Sequence, residues 1–431
     1  MNKPEYKLSN YNILINRNNC TFLWNTLTNA FIKLNEEGLR YIDSFDGSQT
    51  NSLFFDILKE NGCIVKSSFH ELGKVLHDEK AVMLDQFPRS LHYTIAPGLG
   101  CNYNCVYCFE KNSLNKTSMS REMQDAVCDY IIQTAERNPR VVNLSITWFG
   151  GEPLLYMDAI SYMSEKLIDY CIKRGVDYGA GIVTNGRLLT RNASKELKQY
   201  KIRYVQLSFD GMQERYTQLK QATIEDFHTT VDNIIACADI LPITIRVNVG
   251  DTIDDALELT DFLLHEKNLD GKVKIYLAHI RDYDHLDIEG EKQSQTRFYE
   301  QEGNFMALFG ENGPYSAQSL YYVIPRRRCT TCHSVCDPNG CIGPNGELYR
   351  CEHYFGQPEY IVGTIQNGRY FTDHESNYLT SPHAEKCLGC NLFPVCLGGC
   401  KNDKQNGDIA LACNAFKERM IDNLLLSHGL S

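Results

Sequence analysis

The chain has 431 residues, 43% of them hydrophobic and 23% charged, which is ordinary for a soluble globular protein of two or three domains. Its formal net charge of −11 argues against nucleic acid as a partner, and no apolar run approaches the length of a membrane span. The opening MNKPEYKLSN holds no apolar signal core, so a cytoplasmic location is expected; there disulfides are disfavoured, and 18 cysteines point to metal binding.

Residues 1 to 90 begin with short strands in YNILINRNNCTFLWNTLTNAFIKL, turning at Asn18-Asn19. NEEGLRYIDSF, NSLFFDILKENG and SSFHELGKVLHDEKAVML then show helical spacing of apolar residues, with Gly62 as a helix stop. Three strands followed by helices suggest a small α+β, winged-helix-like module. It carries 10 Lys or Arg against 11 Asp or Glu, so it lacks the basic excess of a DNA-binding domain.

From 91 the chain alternates strand and helix. LHYTIAP, VVNLSITWFG, YGAGIVTN, YVQLSFDG, ITIRVNV and KVKIYLAHI read as strands, with helical stretches between them. Six strands alternating with helices predict an α/β fold with a parallel sheet, an open (β/α)6 partial barrel over residues 91 to 320. Ligands in such folds meet the C-terminal ends of the strands. From 321 to 431 Gly, Pro, Asn and Cys dominate, and metal ligation would have to hold the region together.

Just after the first of these strands lies CNYNCVYCFE, with Cys101, Cys105 and Cys108 at C-x3-C-x2-C spacing. Structural metal sites and iron–sulfur cubanes want four ligands, and no fourth cysteine follows close behind. Three thiolates can hold three irons of a cubane and leave the fourth open to an external ligand. A zinc site with a distant fourth ligand is the alternative. WFGGEPLL puts Gly150, Gly151, Glu152 and Pro153 at the end of the second strand. Glycines let backbone approach a ligand closely, and a carboxylate offers charge. TNG, with Thr184 and Asn185, ends the third strand; SFDG, with Ser208 and Asp210, ends the fourth.

These motifs, in this order, resemble those of the radical S-adenosylmethionine (SAM) enzymes. The resemblance implies that SAM chelates the open iron and that one electron from the cluster cleaves it to methionine and a 5′-deoxyadenosyl radical. It also implies that Gly150, Gly151, Glu152, Thr184, Asn185, Ser208 and Asp210 contact SAM. Where the family has an arginine after SFDG, this chain offers Lys220, either a SAM carboxylate contact or a solvated helix charge. Arg246 and Asn248 alternate on one face of the fifth strand and meet SAM or substrate, or form a structural hydrogen-bonded pair.

Ten cysteines crowd between Cys329 and Cys413. CLGCNLFPVCLGGC, with Cys413 after it and Gly346-x4-Cys351 before it, resembles the SPASM extension of these enzymes. That resemblance implies two auxiliary [4Fe-4S] clusters, three in all with the SAM cluster. Cys387, Cys390, Cys396 and Cys413 hold one. Cys336, Cys351 and Cys400 hold the other, with Cys332 favoured over Cys329 or Cys341 as the remaining ligand; if none binds, an open iron could capture a substrate thiol. Zinc ribbons are the alternative for paired C-x2-C units. Cys20, Cys63, Cys128, Cys171 and Cys237 read as small buried hydrophobes.

Enzymes with this extension mostly modify peptides. The reading is therefore a maturase of a ribosomally made precursor peptide, forming a thioether or carbon–carbon crosslink. Its N-terminal module would hold a leader segment as an added strand, and a flavodoxin or ferredoxin would donate electrons. Neither nucleic acid nor membrane is an expected partner. The alternatives are an anaerobic sulfatase-maturating enzyme, which oxidises Cys or Ser to formylglycine, and a non-catalytic zinc-stapled binding protein.

Overall fold

The computed structural model describes residues 4–17, 19–280, 295–311, 313–380, 382–402 and 413–430. Its centre is a run of parallel strands: β6 (Ser90–Ile95), β7 (Asn143–Trp148), β8 (Asp177–Thr184), β9 (Ile202–Ser208), β10 (Ile243–Val249) and β11 (Lys274–His279). The six pair in sequential order. The numbering counts five earlier strands: β1 (Tyr6–Leu8), β2 (Asn12–Arg17), β3 (Cys20–Asn25), β4 (Phe31–Leu34) and β5 (Ile64–Lys66).

Parallel strands covered on both faces usually read as continuous apolar runs. These alternate instead. Leu144, Ile146 and Trp148 of β7, Val205 and Leu207 of β9, and Ile243, Ile245 and Val247 of β10 enter one large core with the helices. Their neighbours Ser145, Thr147, Gln206, Ser208, Arg246 and Asn248 therefore lie on the opposite face, because successive side chains alternate. That polar face is where the sheet can do chemistry.

The helices obey local capping rules. Ser120 and Thr190 accept hydrogen bonds from Met123 N and Ala193 N at the starts of Arg121–Arg137 and Arg191–Gln199. Thr223 and Asp226 form a reciprocal capping box at Ile224–Cys237. A helix, Gln213–Lys220, follows SFDG, and the helix Asp254–Asp261 continues as a π turn, Phe262–Glu266.

The C-terminal region joins the sheet. Strand β12 (Gly340–Ile342) pairs parallel with β6, and β13 (Glu347–Tyr349), β14 (Gly363–Thr364) and β15 (Gly368–Arg369) extend it antiparallel, ten strands in all. The first module holds the expected antiparallel β2-β3-β4 sheet, with Asn19 at positive φ in its first turn. Helices Glu36–Ser44, Leu53–Glu60 and Glu71–Met83 follow, and β1 and β5 form an unanticipated antiparallel pair.

This module is not an appendage. Ile13, Ile15, Phe22 and Trp24 share a core with Leu392, Val395 and four residues of the C-terminal helix Cys413–Ser427, and Cys390 and Cys396 pack against it. Tyr11, Leu27 and Val75 do the same with Phe393 and Leu397. His383 and Glu79, 2.7 Å apart, add a polar link. Trp24 is fully buried. Trp24→Ala should cost about 3–5 kcal/mol. It should lower the thermal midpoint; an unchanged midpoint would refute the shared core.

Candidate active site at the C-terminal ends of the strands

The cysteine loop leaves β6 and folds against the turn that follows β7. Gly151 has φ +51, and a Cβ there would lie 2.1 Å from the Gly100 carbonyl oxygen. Gly150 has φ +84, and its Cβ would meet the Ala96 Cβ at 2.6 Å. Only glycine permits both the conformation and the contact. Glu152 N then donates to Gly100 O at 2.9 Å, joining the two loops.

Glu152 is fully buried. Its Oε1 accepts from Leu154 N at 3.0 Å and Thr184 Oγ1 at 2.7 Å, and its Oε2 from Asn185 N at 2.8 Å. Asn185 Nδ2 in turn donates to Asn102 Oδ1 at 2.8 Å and lies 4.0 Å from Cys101 Sγ. One carboxylate thus ties the ends of β7 and β8 to the cysteine loop. Burial pushes Glu152 up from the usual carboxylate range, against the pull of these donors.

Cys101, Cys105 and Cys108 are half-buried. Burial pushes the Cys101 thiol up to about 12, and the charge of Cys105 adds to the rise of both Cys101 and Cys108. Cys108 N donates to Cys105 O at 3.2 Å within this tight loop, and a cationic group is needed to hold the thiols as thiolates. Among the described residues no three His, Cys, Asp or Glu side chains close on one point as they would around a single ion. A four-iron cluster makes no such demand, since each thiolate binds its own iron. The donor set fits such a cluster.

Ser208, Asp210, Lys220, Arg246 and Asn248 also meet. Asn248 Nδ2 donates to Asp210 Oδ1 at 2.7 Å, Arg246 Nε to Asn248 Oδ1 at 2.9 Å, and Lys220 Nζ to Ser208 Oγ at 3.0 Å. Lys220 has no exposed surface, so the reading of a solvated helix charge does not hold. Arg246 is half-buried on the polar face of β10.

In the C-terminal region burial pushes the Cys336, Cys351 and Cys396 thiols up; the charges of Cys387, Cys390 and Cys413 add to the rise of Cys396, those of Cys400 and Cys332 to the rise of Cys351, and that of Cys332 to the rise of Cys336. A further thiol, the buried Cys341, is influenced by Cys351 and Cys332 and lies 3.9 Å from Glu352 Oε2.

Two features carried no signal in the sequence. Glu110 is buried beside the loop; its Oε2 accepts from Gly151 N at 3.3 Å, and burial, with the Glu352 charge, pushes it up to about 7. Arg350, next to Cys351, is a buried cation donating through Nε to Glu375 at 2.8 and 2.9 Å and lying 3.0 Å from Asp337. Between the two regions Phe109 stacks on His353, with centroids 4.2 Å apart.

A parallel α/β sheet with a three-thiol loop and a Gly-Gly-Glu turn at its C-terminal end defines a class of cofactor-dependent enzyme. Residues 95–263 match the family model of the radical SAM superfamily. The chain is 24% identical over 416 residues to the radical SAM cyclopropyl synthase TigE of Paramaledivibacter caminithermalis, covering 88% of this chain and 82% of that protein. It is 24% identical over 371 residues to the serine-type anaerobic sulfatase-maturating enzyme of Bacteroides thetaiotaomicron, covering 75% and 86%. Its fold matches anSMEcpe with bound AdoMet and Cp18Cys peptide (TM-score 0.58, 18% identity, 79% of this chain and 98% of that one). It also matches Streptococcus suis SuiB bound to precursor peptide SuiA (TM-score 0.53, 16% identity, 94% and 98%).

The chain carries a radical SAM domain and is an enzyme of the radical SAM type. This sets aside the alternative of a non-catalytic zinc-stapled binding protein. No described helix is long and apolar enough to cross a membrane.

The Gly151 contact yields a test. Gly151→Ala adds left-handed strain of about 1–3 kcal/mol and drives a methyl into the Gly100 carbonyl. Both iron bound at the loop and 5′-deoxyadenosine formation should fall sharply. Gly175→Ala, at φ +70 with nothing within 4 Å, should bear the strain alone and keep both. Equal behaviour of the two variants would refute the close-approach argument.

Proposed function

We propose that this chain is a radical SAM enzyme with a SPASM extension that modifies a ribosomally made precursor peptide, most simply by a thioether or carbon–carbon crosslink. The observation that carries the reading is the three-thiol loop after β6 locked against the Gly150-Gly151-Glu152 turn at the strand ends, in a chain with ten further cysteines between Cys329 and Cys413. In this reading Cys101, Cys105 and Cys108 hold the SAM cluster. Cys387, Cys390, Cys396 and Cys413 hold one auxiliary [4Fe-4S] cluster, and Cys332, Cys336, Cys351 and Cys400 hold the other. When bound, cluster and SAM supply a 5′-deoxyadenosyl radical after one-electron reduction.

The chain's own residues prepare the site. Gly150 and Gly151 bring backbone against SAM, while Glu152 holds Thr184 and Asn185 at its edge. Ser208 and Asn248 add polar contacts, and Arg246 has the fork geometry to take the SAM carboxylate. Residues 1–90 form a winged-helix-like recognition module, 91–320 a (β/α)6 partial barrel and 321–431 the auxiliary domain. The leader would add a strand at an outer edge of β2-β3-β4. A flavodoxin or ferredoxin supplies electrons in the cytoplasm.

The relatives point to two kinds of chemistry. TigE is named a cyclopropyl synthase, and SuiB was solved with a precursor peptide. A second reading, formylglycine formation in sulfatases, is favoured by the 24% identity to the serine-type maturating enzyme. A precursor peptide and a sulfatase peptide, each offered to reconstituted protein with SAM and dithionite, separate the two by which one changes mass.

Anaerobic reconstitution should give about twelve irons per chain, three cubanes' worth. Replacing Cys101, Cys105 and Cys108 together by Ala should remove about a third of that iron and abolish 5′-deoxyadenosine formation, with the auxiliary signals kept. Continued SAM cleavage by the triple variant would reject the assignment.

A further inference from the structure

Lys220 is placed as no SAM ligand should be. Its Nζ lies 3.0 Å from Asp210 Oδ2, 3.0 Å from Ser208 Oγ and 3.3 Å from the Tyr107 hydroxyl. An ammonium has three N–H donors, so these acceptors use all of them. With no exposed surface, the side chain leaves an external carboxylate no approach. Asp210 is equally engaged: Tyr107 donates to its Oδ2 and Asn248 to its Oδ1. Tyr107 stands between Cys105 and Cys108 in the sequence, so this buried group grips the cysteine loop from below.

We propose that Lys220 acts on the cysteine loop and not on SAM: it is a positioning residue that, with Asp210 and the Tyr107 hydroxyl, fixes the loop between Cys105 and Cys108 and eases electron entry into the cluster held there. The inference rests on the reading that this loop carries a four-iron cluster. Three thiolates make such a cluster anionic, and one electron from the external donor makes it more negative by one charge. A fixed cation in a poorly solvated site favours that reduced form. Asp210 opposes the effect, but its carboxylate is already engaged by the Tyr107 hydroxyl and Asn248 Nδ2. Burial pulls the Lys220 ammonium down, and Asp210, Cys105 and the direct hydrogen bond outweigh it, leaving the group raised and charged.

The test is a redox titration of reconstituted full-length protein, followed by the electron paramagnetic resonance signal that changes on adding SAM. Lys220→Met should lower the midpoint potential and Asp210→Asn should raise it, because one removes the cation and the other its counter-charge. Tyr107→Phe should leave the charges in place and speed iron loss to a chelator. Two charge variants that shift the potential in the same direction, or not at all, would overturn the proposal. So would a Lys220→Met protein with unchanged potential and SAM binding weakened about tenfold or more, which would make Lys220 a SAM ligand after all. Should Lys220→Met not fold, Asp210→Asn still decides through its predicted rise. Wild-type protein lacking any SAM-sensitive signal would instead overturn the cluster reading itself.

Discussion

The Glu152 carboxylate is the contact on which the site depends. It is buried, and three donors from two loops converge on it: Leu154 N, Thr184 Oγ1 and Asn185 N. A buried carboxylate is costly unless such donors satisfy it, and once satisfied it holds them rigidly. The chain after β7, the chain after β8 and the cysteine loop after β6 thereby become one unit. Without that unit, three cysteines on a glycine-bounded loop would have no fixed separation. A cluster that needs an external fourth ligand needs such fixing more than a closed metal site does, since its protein ligands are one fewer.

The fold around this contact explains why the sheet is two-faced. Apolar residues of β7, β9 and β10 face the helices, and alternate polar residues face the other way. This alternation is legible in the residues of ITIRVNV and NLSITW alone, and with it the register of Arg246 and Asn248. The motif residues are legible for the same reason: each sits in a loop directly after a strand. The helix Gln213–Lys220 is not, because only Tyr216, Leu219 and Lys220 are buried on it and its apolar period is too short to read. Strand β12 is three residues in a Gly- and Cys-rich stretch and is defined by its pairing with β6 and β13. Glu110 against Gly151, and Arg350 against Glu375, join residues far apart in the sequence, where no local pattern announces a partner.

The first module takes on a different meaning in three dimensions. Its strands and helices follow from the sequence, but its shared core with Leu392, Val395 and the C-terminal helix does not. Deleting the first module would therefore also strip the packing from around Cys390 and Cys396. A strand added at the edge of β2-β3-β4 would lie on a sheet whose buried side touches the residues flanking Cys390 and Cys396. The first module and the packing around that cysteine group thus share one scaffold.

The central claim is that the fourth ligand is absent from the cysteine loop so that SAM can provide it. The direct measurement is electron–nuclear double resonance on the reduced protein with SAM carrying 15N in its amino group and 17O in its carboxylate. Coupling of both labels to the cluster, lost when Cys101, Cys105 and Cys108 are replaced, is the predicted result. A reduced cluster with SAM bound in the protein but neither label coupled to it would contradict the account.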